Sequence, residues 1–170
     1  PVIRSNSPDA QVGIVLNFEP SEPASPSAAD FQAARRREGY FSRWFLDPVY
    51  GRHYPADMVA EYTANGFLPN GLDFVADGDM EAIAAKTDFL GVNYYTRAVV
   101  RDEQAADNLP QTVFAAPAAE RTEMGWEVYP QGLYNLLNRL HFEYQAPKLY
   151  VTENGCSYSD GPDASGHIRD

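Results

Sequence analysis

Three short apolar runs stand out in an otherwise mixed sequence, and each has the length of a single β-strand. They cover residues 11–18 (QVGIVLNF), 88–96 (DFLGVNYYT) and 147–154 (PKLYVTEN). Continuous apolar runs of this length are typical of strands that are buried on both faces of a sheet. The pattern therefore predicts three buried strands.

Helical patterns fill much of the sequence between these runs. Ser27 is a suitable N-cap for a long helix over residues 28–46, in which apolar residues recur at roughly helical spacing. Shorter helices are predicted around residues 56–65 and 79–85. The apolar stripe of the long helix consists of Phe31, Ala34, Tyr40, Phe41, Trp44 and Phe45.

A last helix is predicted to begin at Pro130, a residue that suits the first helical turn. Residues 102–123 before it are rich in Gln, Ala and Pro and are predicted to form a loop. Strands that alternate with helices imply right-handed crossovers and a parallel sheet. The apolar side of the last helix is formed by Leu133, Leu136, Leu137 and Leu140.

Each predicted strand ends in polar residues. Asn17 lies near the end of the first strand, Asn93 and Tyr95 near the end of the second, and Glu153 near the end of the third. Residues two apart on a strand share a face, so Asn93 and Tyr95 are expected to point the same way. The carboxyl ends of parallel strands carry the active site of a (β/α)8 barrel and the binding crevice of a doubly wound sheet. The strand pattern alone is consistent with either fold.

Glu153 is the strand-end residue that most requires an explanation. It follows four strand-like residues, 148–151, and precedes Asn154 and Gly155, which favour a turn. A carboxylate at the tip of an apolar strand is costly unless something uses it. It is therefore either a nucleophile or base held by neighbouring hydrogen bonds, or a structural Glu paired with Lys or Arg.

The net charge of −11 over 170 residues narrows the choice of partners. Nucleic acid and anionic membrane surfaces both require clustered Lys and Arg, so neither is expected to bind. No apolar run approaches the length of a membrane span and no signal peptide is visible, so we expect a cytoplasmic location. The aromatic content of 13% favours a site where rings meet a ligand, although packing is their commoner use.

Several other chemistries have no support in the sequence. His53, His141 and His167 are scattered singly, and no Gly-rich phosphate loop precedes a helix, so we expect neither a metal nor a cofactor. Cys156 is the single cysteine, which excludes an internal disulfide. We interpret Cys156 as a packed small hydrophobe, with a thiol near the pocket as the alternative.

Five segments, taken together and in order, resemble family 1 glycoside hydrolases, the retaining β-glucosidases. In chain order they are QVGIVLN, FLDPVYGRHYP, DFLGVNYYT, GWEVYPQGLYNLL and VTENG. The resemblance covers essentially the whole chain. It implies an α/β fold that is part of a (β/α)8 barrel, with residues 1–170 supplying roughly the fifth to seventh strands and their helices.

The resemblance also implies roles for four residues. The Glu of the Thr-Glu-Asn-Gly motif is the family's catalytic nucleophile and corresponds to Glu153. The second Tyr of the Asn-Tyr-Tyr motif, which orients that nucleophile, corresponds to Tyr95. The Asn of the same motif corresponds to Asn93, and Trp126 matches a Trp on the aglycone side of the pocket. Both are expected to bind substrate.

The acid/base residue of this mechanism is expected outside these 170 residues. The family takes it from an Asn-Glu-Pro motif, and the nearest sequence here is NFEP at residues 17–20. One extra residue separates Asn17 from Glu19, and the segment aligns with the strand after the acid/base. Glu19 is therefore not assigned this role.

The resemblance implies hydrolysis of a small β-glucoside or cello-oligosaccharide without a cofactor. A 6-phospho-β-glycosidase and a sugar-binding relative that has lost catalysis are the alternatives. The motifs GVNYYT and GWEVYP favour an unphosphorylated sugar. Because a barrel opened after three strands exposes its edges, we expect a partial barrel, incomplete at both ends, that folds only against the remaining segments of the same barrel.

Overall fold

A computed structural model of the chain describes residues 2–104, 110–159 and 161–168. The three predicted strands are present at residues 13–18, 89–94 and 149–153, but the prediction that all three are buried is wrong: the middle one is largely buried, whereas residues 150–153 are exposed and residues 13–17 are only partly buried or exposed. Within the described ranges the elements are α1 (Val2–Asn6), β1 (Gly13–Phe18), β2 (Ser21–Pro23), α2 (Ala28–Glu38), a π-helical turn (Gly39–Arg43), α3 (Trp44–Val49), α4 (Ala56–Ala64), α5 (Asp79–Ile83), β3 (Phe89–Tyr94), β4 (Ala98–Gln104), β5 (Pro110–Phe114), α6 (Pro130–Phe142) and β6 (Leu149–Glu153).

The strands β1, β3 and β6 form one parallel sheet with β3 in the middle. The side chains of Leu90 and Val92 on β3 are completely buried, and Tyr94 is nearly so. This burial explains why the β3 sequence is an almost continuous apolar run. The predicted parallel sheet is therefore confirmed.

Helix α6 packs on this sheet as its leucine pattern predicts. Pro130 occupies its first turn, where a missing N–H costs nothing. Leu136 and Leu140 are buried in the main core together with Leu90 and Val92. The helix leads directly into β6, which places the end of β6 beside the end of β3.

Helix α2 begins where the sequence predicts, but only part of the predicted apolar stripe is buried. The Ser27 hydroxyl accepts a hydrogen bond from the Asp30 N–H at 3.1 Å, which confirms the N-cap. Ala34 of the stripe is buried together with Ala33, and both pack against β4. The π-helical turn adds a residue to the turn and rotates the faces that follow it. The stripe residues that are more than half exposed are Phe31, Tyr40 and Phe45.

The prediction of a loop over residues 102–123 is wrong for part of its length. β4 continues to Gln104, and β5 pairs with it in antiparallel register, with Thr112 opposite Asp102 and Val113 opposite Arg101. β2 adds to the other edge of β4 in parallel. The β-branched and aromatic residues of β5 favour a strand, and the Gln, Ala and Pro content around them conceals it. Residues 105–109 of the predicted loop lie outside the described residues.

The parallel sheet has two outer edges with no strand partner among the described residues. One is the outer edge of β1 and the other is that of β6. Val15, Tyr150 and Val151 are each about half exposed although they are strand residues. An apolar groove of about 380 Å³ also runs along β1 beside Phe41 and Phe45. Among the described helices, none has the length and apolar character to cross a membrane.

Candidate active site

The polar strand ends lie in one row across the sheet. Asn17 is the register partner of Asn93, and Asn93 is the register partner of Glu153. A β-bulge places Thr152 as an extra residue of β6, because Val92 still pairs with Val151. A bulge changes the direction of the side chains beyond it, so Thr152 helps to set the direction of Glu153. The sequence gives no sign of this bulge.

Tyr95 and Glu153 are in direct contact. The Tyr95 hydroxyl donates a hydrogen bond to Oε2 of Glu153 at 2.8 Å. This hydrogen bond is the main cause of a raised pKa of the Tyr95 phenol. The phenol therefore stays protonated through the neutral range and keeps donating to the carboxylate.

Two further hydrogen bonds hold the backbone on either side of Glu153. The Thr152 hydroxyl donates to Oδ1 of Asn93 at 2.7 Å. The side-chain amide of Asn154 donates to the carbonyl oxygen of Tyr94 at 2.7 Å. Both bonds join the end of β6 to the end of β3, so the strand tip that carries Glu153 is fixed before any ligand arrives.

Trp126 forms the wall of the site beside Tyr95. The two ring centroids lie 5.2 Å apart with the planes tilted by 47°. All four residues predicted for the site therefore share one cleft of about 260 Å³. The cleft is lined by Asn17, Phe18, Glu19, Phe41, Asn93, Tyr95, Thr96, Trp126 and Glu153.

Glu19 lies in the same cleft but is held by Arg37. An Arg37 guanidinium nitrogen bonds to Oε2 of Glu19, and the guanidinium carbon lies 4.3 Å from the centroid of the Phe41 ring. Burial raises the pKa of the Glu19 carboxyl, and the Arg37 charge acts in the opposite direction. Sequence reasoning missed Arg37, because an arginine in the middle of a helix carries no motif.

Cys156 is exposed, so the interpretation as a packed hydrophobe is wrong. It follows Gly155, beyond the last residue of β6, where the chain is exposed. No group of three or more His, Cys, Asp or Glu side chains suited to a metal ion occurs in the part of the chain that the structure describes.

A parallel α/β sheet whose strand ends bring a carboxylate, a phenol and an indole ring into one cleft is typical of a (β/α)8-barrel enzyme. The chain belongs to glycosyl hydrolase family 1, whose family model matches residues 2–170. The fold is part of the (β/α)8 barrel of that family. This agrees with the fold that the five sequence motifs imply.

Curated relatives align along nearly the whole chain. A β-glucosidase A of Acetivibrio thermocellus is 34% identical over 170 residues, covering 99% of this chain and 37% of that protein. A 6-phospho-β-glucosidase, GmuD of Bacillus subtilis, is 33% identical over 162 residues, covering 89% of this chain and 34% of that protein. The chain thus spans about a third of the length of the curated relatives it matches.

Solved structures give the same result. The crystal structure of a β-glucosidase from Exiguobacterium marinum superimposes with a TM-score of 0.85 at 35% identity, covering 96% of this chain and 36% of that one. The virulence factor SghA of Agrobacterium tumefaciens, in complex with its substrate analog salicin, gives a TM-score of 0.81 at 35% identity, covering 95% and 35%.

Proposed function

We propose that this chain provides the nucleophile side of the active site of a retaining β-glycosidase. The observation that carries the proposal is the 2.8 Å hydrogen bond from Tyr95 to Glu153 inside a cleft. A carboxylate nucleophile must be ionised and must keep one oxygen aimed at the sugar. The phenol of Tyr95 supports the second requirement, because it donates to Oε2 of Glu153 and so fixes the direction of the carboxylate.

The reaction follows from these residue types. An oxygen of Glu153 attacks the anomeric carbon while the glycosidic C–O bond breaks, and the leaving oxygen takes a proton from a second carboxylic acid. This gives a covalent glycosyl ester on Glu153. Water then attacks the anomeric carbon, its proton passes to the second carboxylate, and Glu153 leaves with the electrons of the ester bond. The configuration at the anomeric carbon is retained.

The second carboxyl group is proposed to come from outside this chain. Retaining glycosidases place their two carboxyl groups about 5 Å apart, and the partner must be able to give up a proton. Glu19 is the other acid in the cleft, and burial raises the pKa of its carboxyl, but one of its carboxylate oxygens is bonded to the Arg37 guanidinium and is not free to face a leaving group. Glu19 is therefore proposed to shape the cleft and not to act as the acid/base.

Residues 1–170 are proposed to work as part of a complete barrel. The open edges of β1 and β6 and the half-exposed Val15, Tyr150 and Val151 support this proposal, because a closed barrel would cover them. The coverage of about a third of each relative supports it as well. The remaining strands would then provide the acid/base and the rest of the sugar-binding site.

The proposed substrate is a small β-glucoside or a cello-oligosaccharide. The names of the curated relatives and the motifs around Asn93 and Trp126 favour an unphosphorylated glucoside. A 6-phospho-β-glucoside is the second candidate, because a 6-phospho-β-glucosidase is among the relatives at similar identity. Comparing kcat/KM for cellobiose and for its 6-phosphate separates the two.

Replacing the proposed nucleophile tests the function. In the full-length protein, Glu153→Gln should lower kcat for 4-nitrophenyl β-glucoside by about ten-thousandfold or more, because an amide cannot form the glycosyl ester. Binding of glucose or cellobiose, measured by calorimetry, should remain. Glu143→Gln is the matched control, since Glu143 is an exposed acid after α6. Undiminished hydrolysis by Glu153→Gln would exclude the proposal, and sugar binding without hydrolysis by the wild type would favour a binding protein.

A further inference from the structure

The loop before α6 is held against the end of β3 by the residues on either side of Tyr95. The Tyr94 hydroxyl donates to the carbonyl oxygen of Tyr129 at 2.6 Å, and the Thr96 hydroxyl donates to the carbonyl oxygen of Glu127 at 2.9 Å. Tyr95 donates to Glu153 in the cleft, while the hydroxyls of its two neighbours bond to the loop.

Arg97 binds the same loop through its guanidinium group. Its Nε and Nη2 atoms donate to the two carboxylate oxygens of Glu127, each at 2.9 Å, and its Nη1 donates to Glu22 at 2.5 Å. The guanidinium carbon lies 3.6 Å from the centroid of the Tyr129 ring. The side chains of Arg97 and Glu127 are only 15% and 7% exposed, so this is a buried, two-pronged ion pair.

The backbone around Trp126 is fixed by a tight turn as well. The Thr122 N–H donates to the carbonyl oxygen of Trp126 at 2.8 Å, and the Thr122 hydroxyl accepts from the Trp126 N–H at 3.3 Å. Gly125 adopts the left-handed conformation that this turn requires, with φ of 79°. Glu127 follows directly, so its ion pair fixes the end of the turn that carries Trp126.

We infer that Arg97 and Glu127 are a positioning pair, which sets the place of the Trp126 ring and thereby the discrimination among leaving groups. This inference rests on the proposed glycosidase function, with Trp126 on the leaving-group side of the cleft. The pair does not touch the nucleophile; it acts through the loop. An ion pair suits this role because two parallel hydrogen bonds from one guanidinium fix both the position and the orientation of the Glu127 carboxylate.

The pair predicts a particular pattern of kinetic losses. Glu127→Gln removes the negative charge of the pair. Arg97→Lys keeps the positive charge but loses the bidentate hydrogen bonding to Glu127. In the full-length protein, each should lower kcat/KM for cellobiose by about tenfold to a hundredfold, mainly through KM, because small misplacements of a binding group are costly. Covalent labelling by 2-deoxy-2-fluoro-β-glucosyl fluoride should change by less than about threefold, since fluoride makes no contact with a Trp platform. The controls are Arg101→Lys and Glu103→Gln, which alter an exposed ion pair of β4.

A double-mutant cycle tests whether the pair acts through Trp126. If it does, Glu127→Gln added to Trp126→Ala should cause no further loss of kcat/KM for cellobiose. Additive losses, or equal losses for cellobiose and for the glucosyl fluoride, would overturn the inference in favour of a general structural role. If Glu127→Gln fails to fold, Arg97→Lys is combined with Trp126→Ala in the same cycle. An inactive wild type would instead refute the proposed function, and the leaving-group role with it.

Discussion

The Tyr95 hydroxyl and the Glu153 carboxylate lie 2.8 Å apart although 58 residues separate them in the chain. The contact depends on three local features. β3 and β6 are neighbours in a parallel sheet, Tyr95 directly follows β3, and the bulge at Thr152 brings Glu153 into register with Asn93. The resulting pair is a carboxylate with a fixed hydrogen-bond donor at the open end of the sheet.

Removing the phenol should slow catalysis without abolishing binding. Tyr95→Phe deletes the donor to Glu153 and leaves the ring that contacts Trp126. We expect kcat in the full-length protein to fall by about tenfold to a hundredfold with little change in KM, because the lost bond acts on the nucleophile. Tyr134→Phe is the control, since Tyr134 is exposed on α6. An unchanged kcat for Tyr95→Phe would show that the phenol does not orient Glu153.

Glu19 should be dispensable for proton transfer. If Arg37 keeps it as a structural acid, Glu19→Gln should retain kcat within about tenfold, since an acid/base group contributes about a hundredfold or more. Azide should not restore activity by forming glycosyl azide. A loss of several hundredfold that azide rescues would instead identify Glu19 as the acid/base and place both carboxyl groups in this chain.

The Asp57 carboxylate should stabilise the folded protein at neutral pH and lose this effect in acid. Hydrogen bonds from Arg43, reinforced by Arg35, lower the pKa of Asp57 to about 2. Because the folded-state pKa is lowered, the stabilisation is complete above about pH 4, the usual Asp pKa, and is lost as the pH falls towards 2. Asp57→Asn should therefore lower Tm at pH 6 but have little effect near pH 2. Asp77→Asn, at an exposed position, is the control, and a pH-independent difference for Asp57→Asn would contradict this linkage.

Gly132 should tolerate no side chain. A Cβ at this position would lie 2.1 Å from the Tyr94 hydroxyl and 2.9 Å from the Tyr129 ring. Gly132→Ala should therefore break the bond from Tyr94 to the Tyr129 carbonyl and destabilise the fold by about 1–3 kcal/mol, the usual cost of overpacking. Urea unfolding of the full-length protein measures this, with Gln131→Ala on the exposed side of α6 as control. Equal stability would mean that Tyr94 moves aside without cost.

The parts of the fold that sequence reasoning predicted are those governed by local pattern. Apolar runs identified β1, β3 and β6, and the alternation with helices implied that they are parallel, which placed Asn93, Tyr95 and Glu153 at one edge. The N-cap at Ser27 and the start of α6 at Pro130 follow from single-residue preferences. These signals lie within a few neighbouring residues.

The parts that were missed depend on contacts between distant residues or on small irregularities. The π-helical turn at Gly39–Arg43 changes which side of the helix is buried, and the bulge at Thr152 changes one residue of register. The pairing of β5 with β4 and the ion pair of Arg97 with Glu127 form only when the chain has folded. The periodicity of the sequence therefore does not predict these features.

The identity of the labelled residue tests the central claim most directly. The full-length protein is treated with 2,4-dinitrophenyl 2-deoxy-2-fluoro-β-glucoside, digested, and analysed by mass spectrometry. The fluorine slows hydrolysis of the glycosyl ester, so a retaining enzyme should accumulate one fluoroglucosyl group on Glu153, and Glu153→Gln should accumulate none. Attachment to another residue, or steady turnover of glucosides with no adduct on Glu153, would contradict the account.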